Sequence, residues 1–201
     1  LGGKDPYSAS KACAEILINS YISSFLKKKS LFKVSTARSG NVIGGGDYSK
    51  DRLVPDILEA YNKNKKLIVR NPDHIRPWQH VIEPIYGYLI LAKKQYLNQI
   101  SHYDHSWNFG PKESSFITVS QVISKFKRKK MIKKVLIKKN KNVETKVLKL
   151  NSRKAIKNLN WRQKWNIDQT LDKIIEWNIF VNEKKNYRKI CENQIWQYLS
   201  D

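Results

Sequence analysis

Apolar residues along this chain recur in two rhythms, a helical spacing of three to four and short runs of strand type, and the two alternate from end to end. Asp5 followed by Pro6 marks a helix start, because a proline at the first helical position gives up an N–H that has no intrahelical partner there. Ala12, Ile16 and Tyr21 continue that helix to about Lys28. FKVSTAR reads as a short buried strand and SGNVIGGGDYSKDR as a long loop leaving its end. VPDILEAYNKN predicts a helix, KLIVR a strand, VIEPIYGYLILAKKQYL another helix, and SWNFGP a strand closing in a turn. Thr118 caps an amphipathic surface helix in TVSQVISKFKRKK, and KKVLIKK is a strand. NSRKAIKNL and DQTLDKIIEWNIFVNE, the latter capped by Asp168, complete the helices. Strands alternating with helices imply an α/β fold with parallel pairing. No repeat, low-complexity linker or sharp boundary interrupts the pattern.

Composition narrows the class. The chain has 201 residues, 40% of them hydrophobic, with six tryptophans, enough to bury a sizeable core. The longest apolar runs, such as YGYLILA, fall far short of the ~20 residues a membrane span needs. No leader-like charged and apolar stretch opens it, so a secretory signal is not expected on this segment. Cys13 and Cys191 are too few and too far apart for a disulfide framework or a metal cluster, which points to reduced thiols, a cytoplasmic protein and no metal.

The net charge of +22 raises nucleic acid as a partner. Its distribution argues against one: lysines outnumber arginines 31 to 8 and are spread over the whole length. They are densest from Lys125 to Lys146, where Met131, Ile132, Val135, Leu136 and Ile137 interleave as a helix end and strand require. That stretch is a solvated basic surface, with an anion-attracting patch as the alternative. A nucleic-acid module would also want stacking aromatics, and KFKRKKMIKKVLIKK has none after Phe126.

Tyr7 and Lys11 stand four apart on the opening helix, on one face and within side-chain reach. An ammonium beside a phenol favours the phenolate, so such a tyrosine can take a proton from a hydroxyl. By itself the pair is a two-letter pattern, and a core tyrosine beside a surface lysine is its default explanation. The glycines from Gly44 to Gly46 permit a close backbone approach to a ligand, or simply a surface turn. Trp78 reads as core and His80 as a structural hydrogen bonder.

Taken together and in order, DPYSASKACAE, ARSGNVIGGGDYSKDRLVPD, RNPDHIRPWQHVIEP, WNFGP and LKLNSRKA resemble the extended short-chain dehydrogenase/reductases of the NAD-dependent epimerase/dehydratase family. Within that family the chain is most similar to the nucleotide-sugar 4,6-dehydratases that act on CDP-glucose. The resemblance implies a Rossmann-like fold, with residues 1–47 the C-terminal part of the NAD-binding domain. Residues 48–201 would then be mainly the nucleotide-sugar-binding region, with some segments returning to the sheet. It implies NAD as cofactor and CDP-glucose as substrate, a homo-oligomeric enzyme, and no membrane or nucleic-acid partner.

The same resemblance assigns residues. Tyr7 would abstract the proton, with Lys11 its partner and a hydrogen bonder of the nicotinamide ribose. Backbone at Ser39 would pass the nicotinamide, and Asn41 would face the sugar nucleotide. Arg76 would hold the diphosphate, with Arg52 and Asn108 as weaker candidates for the same anion. An arginine fork suits two adjacent phosphates because it can answer them bidentately. The reaction implied moves a hydride from carbon 4 to carbon 6 of the sugar through NAD while water is lost across carbons 5 and 6.

No Gly-x-x-Gly-x-x-Gly turn, where a helix N-terminus receives the cofactor pyrophosphate, occurs in these residues, and no Thr-Asp acid–base stretch precedes Tyr7. The chain is therefore expected to be a C-terminal portion of such an enzyme, inactive alone, its first half possibly encoded separately. A related epimerase shares Tyr7, Lys11, Asn41 and Arg76 and remains open at this point.

Overall fold

The structure is a computed structural model that describes residues 5–26, 32–100, 105–138 and 145–201. Seven helices and seven short strands alternate among them. Helix α1 (Pro6–Phe25) opens as the sequence predicts: Asp5 caps it by accepting the Ser8 N–H at 3.0 Å, and Pro6 begins it. The helix ends at Phe25, with Leu26 leaving helical geometry at its C-cap, short of the expected end near Lys28, which itself lies outside the described residues. Strand β1 (Thr36–Ser39) is shorter than the FKVSTAR run, beginning four residues later.

Strand β2 (Asn41–Ile43) stands where a loop was expected. Helix α2 (Leu53–Asn62) and β3 (Leu67–Val69) follow the prediction. Strand β4 (Ile75–His80) was not foreseen. Helix α3 (Ile82–Tyr96) and β5 (Ser106–Phe109) agree with it. The three-residue β6 (Phe116–Thr118) leads into α4 (Val119–Arg128), which Thr118 caps in a full capping box with Gln121. Strand β7 (Val135–Ile137), α5 (Arg153–Leu159) and α6 (Ile167–Lys184) come next, and a further helix, α7 (Tyr187–Ser200), follows them. The cap of α6 is Asn166, not Asp168: the Asn166 side chain accepts the Gln169 N–H at 3.0 Å, and Asp168 sits inside the first turn.

Pairing is parallel for β1–β5, β2–β4 and β3–β7, as the alternation requires, and antiparallel only for β4–β6. The largest core cluster joins α2, α4 and α6 to these strands through Ile57, Leu67, Phe126, Leu171 and Ile174. Each is fully buried, worth about 1.5–3 kcal/mol apiece by transfer. A second cluster packs Trp107, Phe109 and Trp161 between β5, α3 and α5. The basic end of α4 is partly answered by α6. Lys125 reaches Asp168 at 2.7 Å and Lys129 pairs with Asp172 one turn on. No helix among the described residues is long and apolar enough to cross a membrane.

Candidate active site

Two glycines bring the candidate residues' backbone together. Gly40 separates β1 from β2, and a Cβ there would lie 2.6 Å from Pro77 Cγ. Only glycine lets the Ser39–Asn41 corner rest against Arg76–Trp78. Gly45 lies flat on the Trp177 indole of α6, with a hypothetical Cβ 2.2 Å from it, so the loop after Asn41 is held down by a helix that begins 122 residues further along.

Register then sorts the candidates onto faces. Asn41 is opposite Trp78 in the β2–β4 pair. Arg76, two residues before Trp78, shares that face because strand side chains alternate. Arg76 is half-buried, and its Nη1 donates to the carbonyls of Ile75 at 2.9 Å, Thr145 at 2.9 Å and Lys146 at 3.4 Å, while Nη2 lies 3.0 Å from His74 Nδ1. The arginine expected to clamp a diphosphate thus also ties β4 to the 145–146 segment.

Arg38 and Asn108 are register partners in β1–β5, on the face shared by Thr36 and Ser106. Asn108 Nδ2 donates to the Asn151 carbonyl at 3.1 Å, and its buried Oδ1 has no partner among the described residues. Ser39 ends β1. Arg52 is exposed at the N-cap of α2, where its side chain makes no capping bond.

Tyr7 and Lys11 occupy the first turns of α1, and the Lys11 ammonium lies 5.5 Å from the Tyr7 ring centroid. Tyr7 is 72% exposed, not a core tyrosine. No carboxylate pairs with Lys11 among the described residues. Proton-abstracting chemistry needs both features, a reachable phenol and a cation beside it.

His80 and Trp78 behave structurally, as expected. Trp78 is buried and donates its Nε1–H to the Ile117 carbonyl at 3.1 Å. His80 Nδ1 accepts the Ile82 N–H at 3.3 Å, and burial, with a smaller push from Lys173, lowers its pKa to about 4. It is neutral at pH 7 and packed edge-on to Trp165.

Sequence reasoning passed over Glu15 and Arg38. Glu15 Oε2 accepts the Thr36 hydroxyl at 3.0 Å and lies 3.7 Å from Arg38 Nη1. The available signal was spacing, since Glu15 falls one turn after Lys11 on the same helix.

Comparison with known proteins adds the following. A family model described as GDP-mannose 4,6 dehydratase matches residues 1–174. A CDP-glucose 4,6-dehydratase of Salmonella typhimurium is 39% identical over 188 residues, covering 88% of this chain and 51% of the relative. The chain thus spans about half the length of that curated relative. Among solved structures, the dTDP-glucose 4,6-dehydratase of Bacillus anthracis in complex with NAD superposes with a TM-score of 0.75 at 19% identity, covering 94% of this chain and 56% of that one. The UDP-glucuronic acid 4-epimerase of Bacillus cereus, in complex with UDP-glucuronic acid and NAD, gives 0.74 at 16% identity, covering 88% and 53%. At these identities the structural likeness establishes the fold.

Proposed function

The chain belongs to the GDP-mannose 4,6 dehydratase family, and from that membership we propose that it is the C-terminal part of an NAD-dependent 4,6-dehydratase whose substrate is CDP-glucose. The observation that carries this reading is the 39% identity to a CDP-glucose 4,6-dehydratase, sustained over 188 residues. The exposed Tyr7–Lys11 pair supports the chemistry.

In this reading Tyr7 removes the proton of the carbon 4 hydroxyl. Lys11, its ammonium over the ring, holds positive charge beside the phenol and donates to the ribose next to the nicotinamide. The residues present fit that end of the cofactor: an exposed phenol and an ammonium with no carboxylate partner among the described residues offer donors for ribose hydroxyls. When bound, NAD would supply the acceptor for the carbon 4 hydride and its donor to carbon 6, as water is lost across carbons 5 and 6. Ser39 contributes backbone beside the nicotinamide, and Asn41 faces the sugar nucleotide. Arg76 answers the diphosphate with the help of Arg52. The unpartnered Asn108 Oδ1 supports a polar contact at the same site. Exposed free thiols at Cys13 and Cys191 suit the cytoplasm. The apolar surface of α1, including Leu17 and Phe25, suits a covering partner, either a second copy in a homo-oligomer or a separately encoded N-terminal half.

The test is to incubate the full-length gene product with NAD+ and CDP-glucose and follow the alkali-developed absorbance of a 4-keto sugar. Product is expected from CDP-glucose, and Tyr7→Phe should abolish it. Product from a dTDP- or GDP-sugar instead would overturn the base assignment, and a 4-epimer retaining its 6-hydroxyl would overturn the reaction.

A further inference from the structure

The helix that carries Tyr7 and Lys11 has little apolar hold on the rest of the protein. Ile22 is its sole buried residue, and it lies about three turns beyond Lys11 toward the C-terminus. Ile16, Leu17, Tyr21 and Phe25 are all more than half exposed. The less exposed stripe of α1 comprises Ser8, Ala9, Ala12, Glu15, Ile18, Asn19 and Ile22, at the three-to-four spacing of one helix face. Most of that stripe is small or polar, so burial alone does little to define how the helix seats. Tyr7 and Lys11 sit on its shoulder.

Glu15 is the exception on that stripe. Its side chain is 13% exposed, and its Oε2 gathers two hydroxyl donors and one arginine ion pair from the strand pair beneath. The Thr36 hydroxyl approaches at 3.0 Å, the Ser106 hydroxyl at 3.5 Å and Arg38 Nη1 at 3.7 Å. Thr36 and Ser106 are opposite each other at the start of the β1–β5 pair, and Arg38 follows on the same face. A single carboxylate oxygen therefore joins the helix to both strands. Charge-assisted hydrogen bonds are stronger and more directional than apolar contact, so they define rotation as well as distance. Lys11 lies one turn, about 6 Å, from this anchor along the helix, and Tyr7 one turn further.

We propose that Glu15 is a positioning residue: it fixes the rotation and height of α1 on the β1–β5 pair and thereby sets where Tyr7 and Lys11 present the phenol and ammonium. The role rests on the proton-transfer function assigned to that pair under Proposed function. Glu15 acts through the helix, by its contacts with Thr36, Ser106 and Arg38.

Two measurements test it. The first is hydrogen–deuterium exchange on the chain itself, wild type against Glu15→Ala, Glu15→Gln and Thr36→Val. Glu15→Ala is expected to speed exchange across residues 6–15 by roughly tenfold or more while the amides of α2, α4 and α6 keep their protection. Thr36→Val should act in the same direction. Glu15→Gln, which retains an acceptor oxygen without the charge, should fall between. Identical exchange in wild type and Glu15→Ala would overturn the proposal. The second is steady-state kinetics of the same variants in the full-length gene product. Glu15→Ala should lower kcat by about 10²-fold with KM for the nucleotide sugar nearly unchanged, and Glu15→Gln should recover part of it. A merely structural role would reduce the amount of folded enzyme and leave kcat per folded molecule intact, so an unchanged kcat overturns the proposal as well. If the wild type lacks dehydratase activity altogether, the function has failed, and the exchange comparison still decides whether Glu15 seats the helix.

Discussion

Tyr198 donates its phenol O–H to Glu83 Oε2 at 2.7 Å, joining the last turn of α7 to the first turn of α3 across 115 positions of sequence. The Glu83 carboxylate is fully buried and also accepts the backbone N–H of Trp165 at 2.8 Å and of Lys164 at 3.1 Å. Burial pushes Glu83 upward from the ordinary carboxylate range, while the bonds from Tyr198, Trp165 and Lys164 pull against it. The Tyr198 phenol is raised by its own burial and then by the Glu83 charge, so it stays protonated as a donor. One acid thus closes α3, the tryptophan-rich 161–165 turn and the C-terminal helix into a single unit.

Tyr198→Phe keeps the ring edge-on to Trp165 and Tyr86 and removes one donor from a buried carboxylate. Urea denaturation should show a loss of ~1.5–3 kcal/mol. Glu83→Ala, which strands the two backbone N–H groups as well, should cost more than Tyr198→Phe. Equal stability of Tyr198→Phe and wild type would mean that the latch carries no net energy.

Gly45→Ala places a methyl group into the Trp177 indole, and the loop or helix α6 must shift. A destabilisation of ~1–3 kcal/mol is expected, typical of overpacking. Combined with Trp177→Ala the two changes should be strongly non-additive, since the second removes the obstacle that the first meets. Additive losses in denaturation midpoints would place the strain elsewhere.

His80 makes stability depend on pH in a definite sense. Its pKa falls from an ordinary 6.5 to about 4 in the folded chain, so between these values the unfolded state binds the extra proton. Stability therefore holds above pH 6.5 and declines as pH drops toward 4, by about 3 kcal/mol from this group. His80→Gln should flatten that part of the curve. An unchanged slope between pH 6.5 and 4 in the variant would assign the acid sensitivity to other groups.

Arg76→Ala in the full-length gene product should weaken CDP-glucose binding by ~2–5 kcal/mol, the usual loss when one partner of a buried charge pair is truncated. Because Arg76 also holds the Thr145 and Lys146 carbonyls, the variant should in addition be cleaved faster by protease near residue 145. Calorimetry showing full affinity alongside faster cleavage would leave Arg76 as a strap and not an anion clamp.

What the sequence determined by itself was local. Asp5–Pro6 and the Thr118–Gln121 box set helix starts through bonds spanning three residues, and such contacts need no tertiary partner. The parallel pairing followed from the alternation of elements, and the Tyr7–Lys11 proximity from helical pitch alone. Tertiary structure decided the rest. Three-residue strands such as β2 and β6 carry too few positions for any period, and they exist because Asn41 finds Trp78 and Thr118 finds Ile75 across the sheet. Helix α7 was missed because its inward stripe, Ile190, Gln194 and Tyr198, includes a glutamine whose burial depends on bonding the Lys173 carbonyl. Asn166 and Asp168 are equally competent caps, and only the backbone path selects the first. Glu15 reads in sequence as an ordinary charged helix residue. Its contacts with Thr36, Ser106 and Arg38 arise only once β1 and β5 lie in register beneath the helix, because a carboxylate's role depends on donors brought from far along the chain.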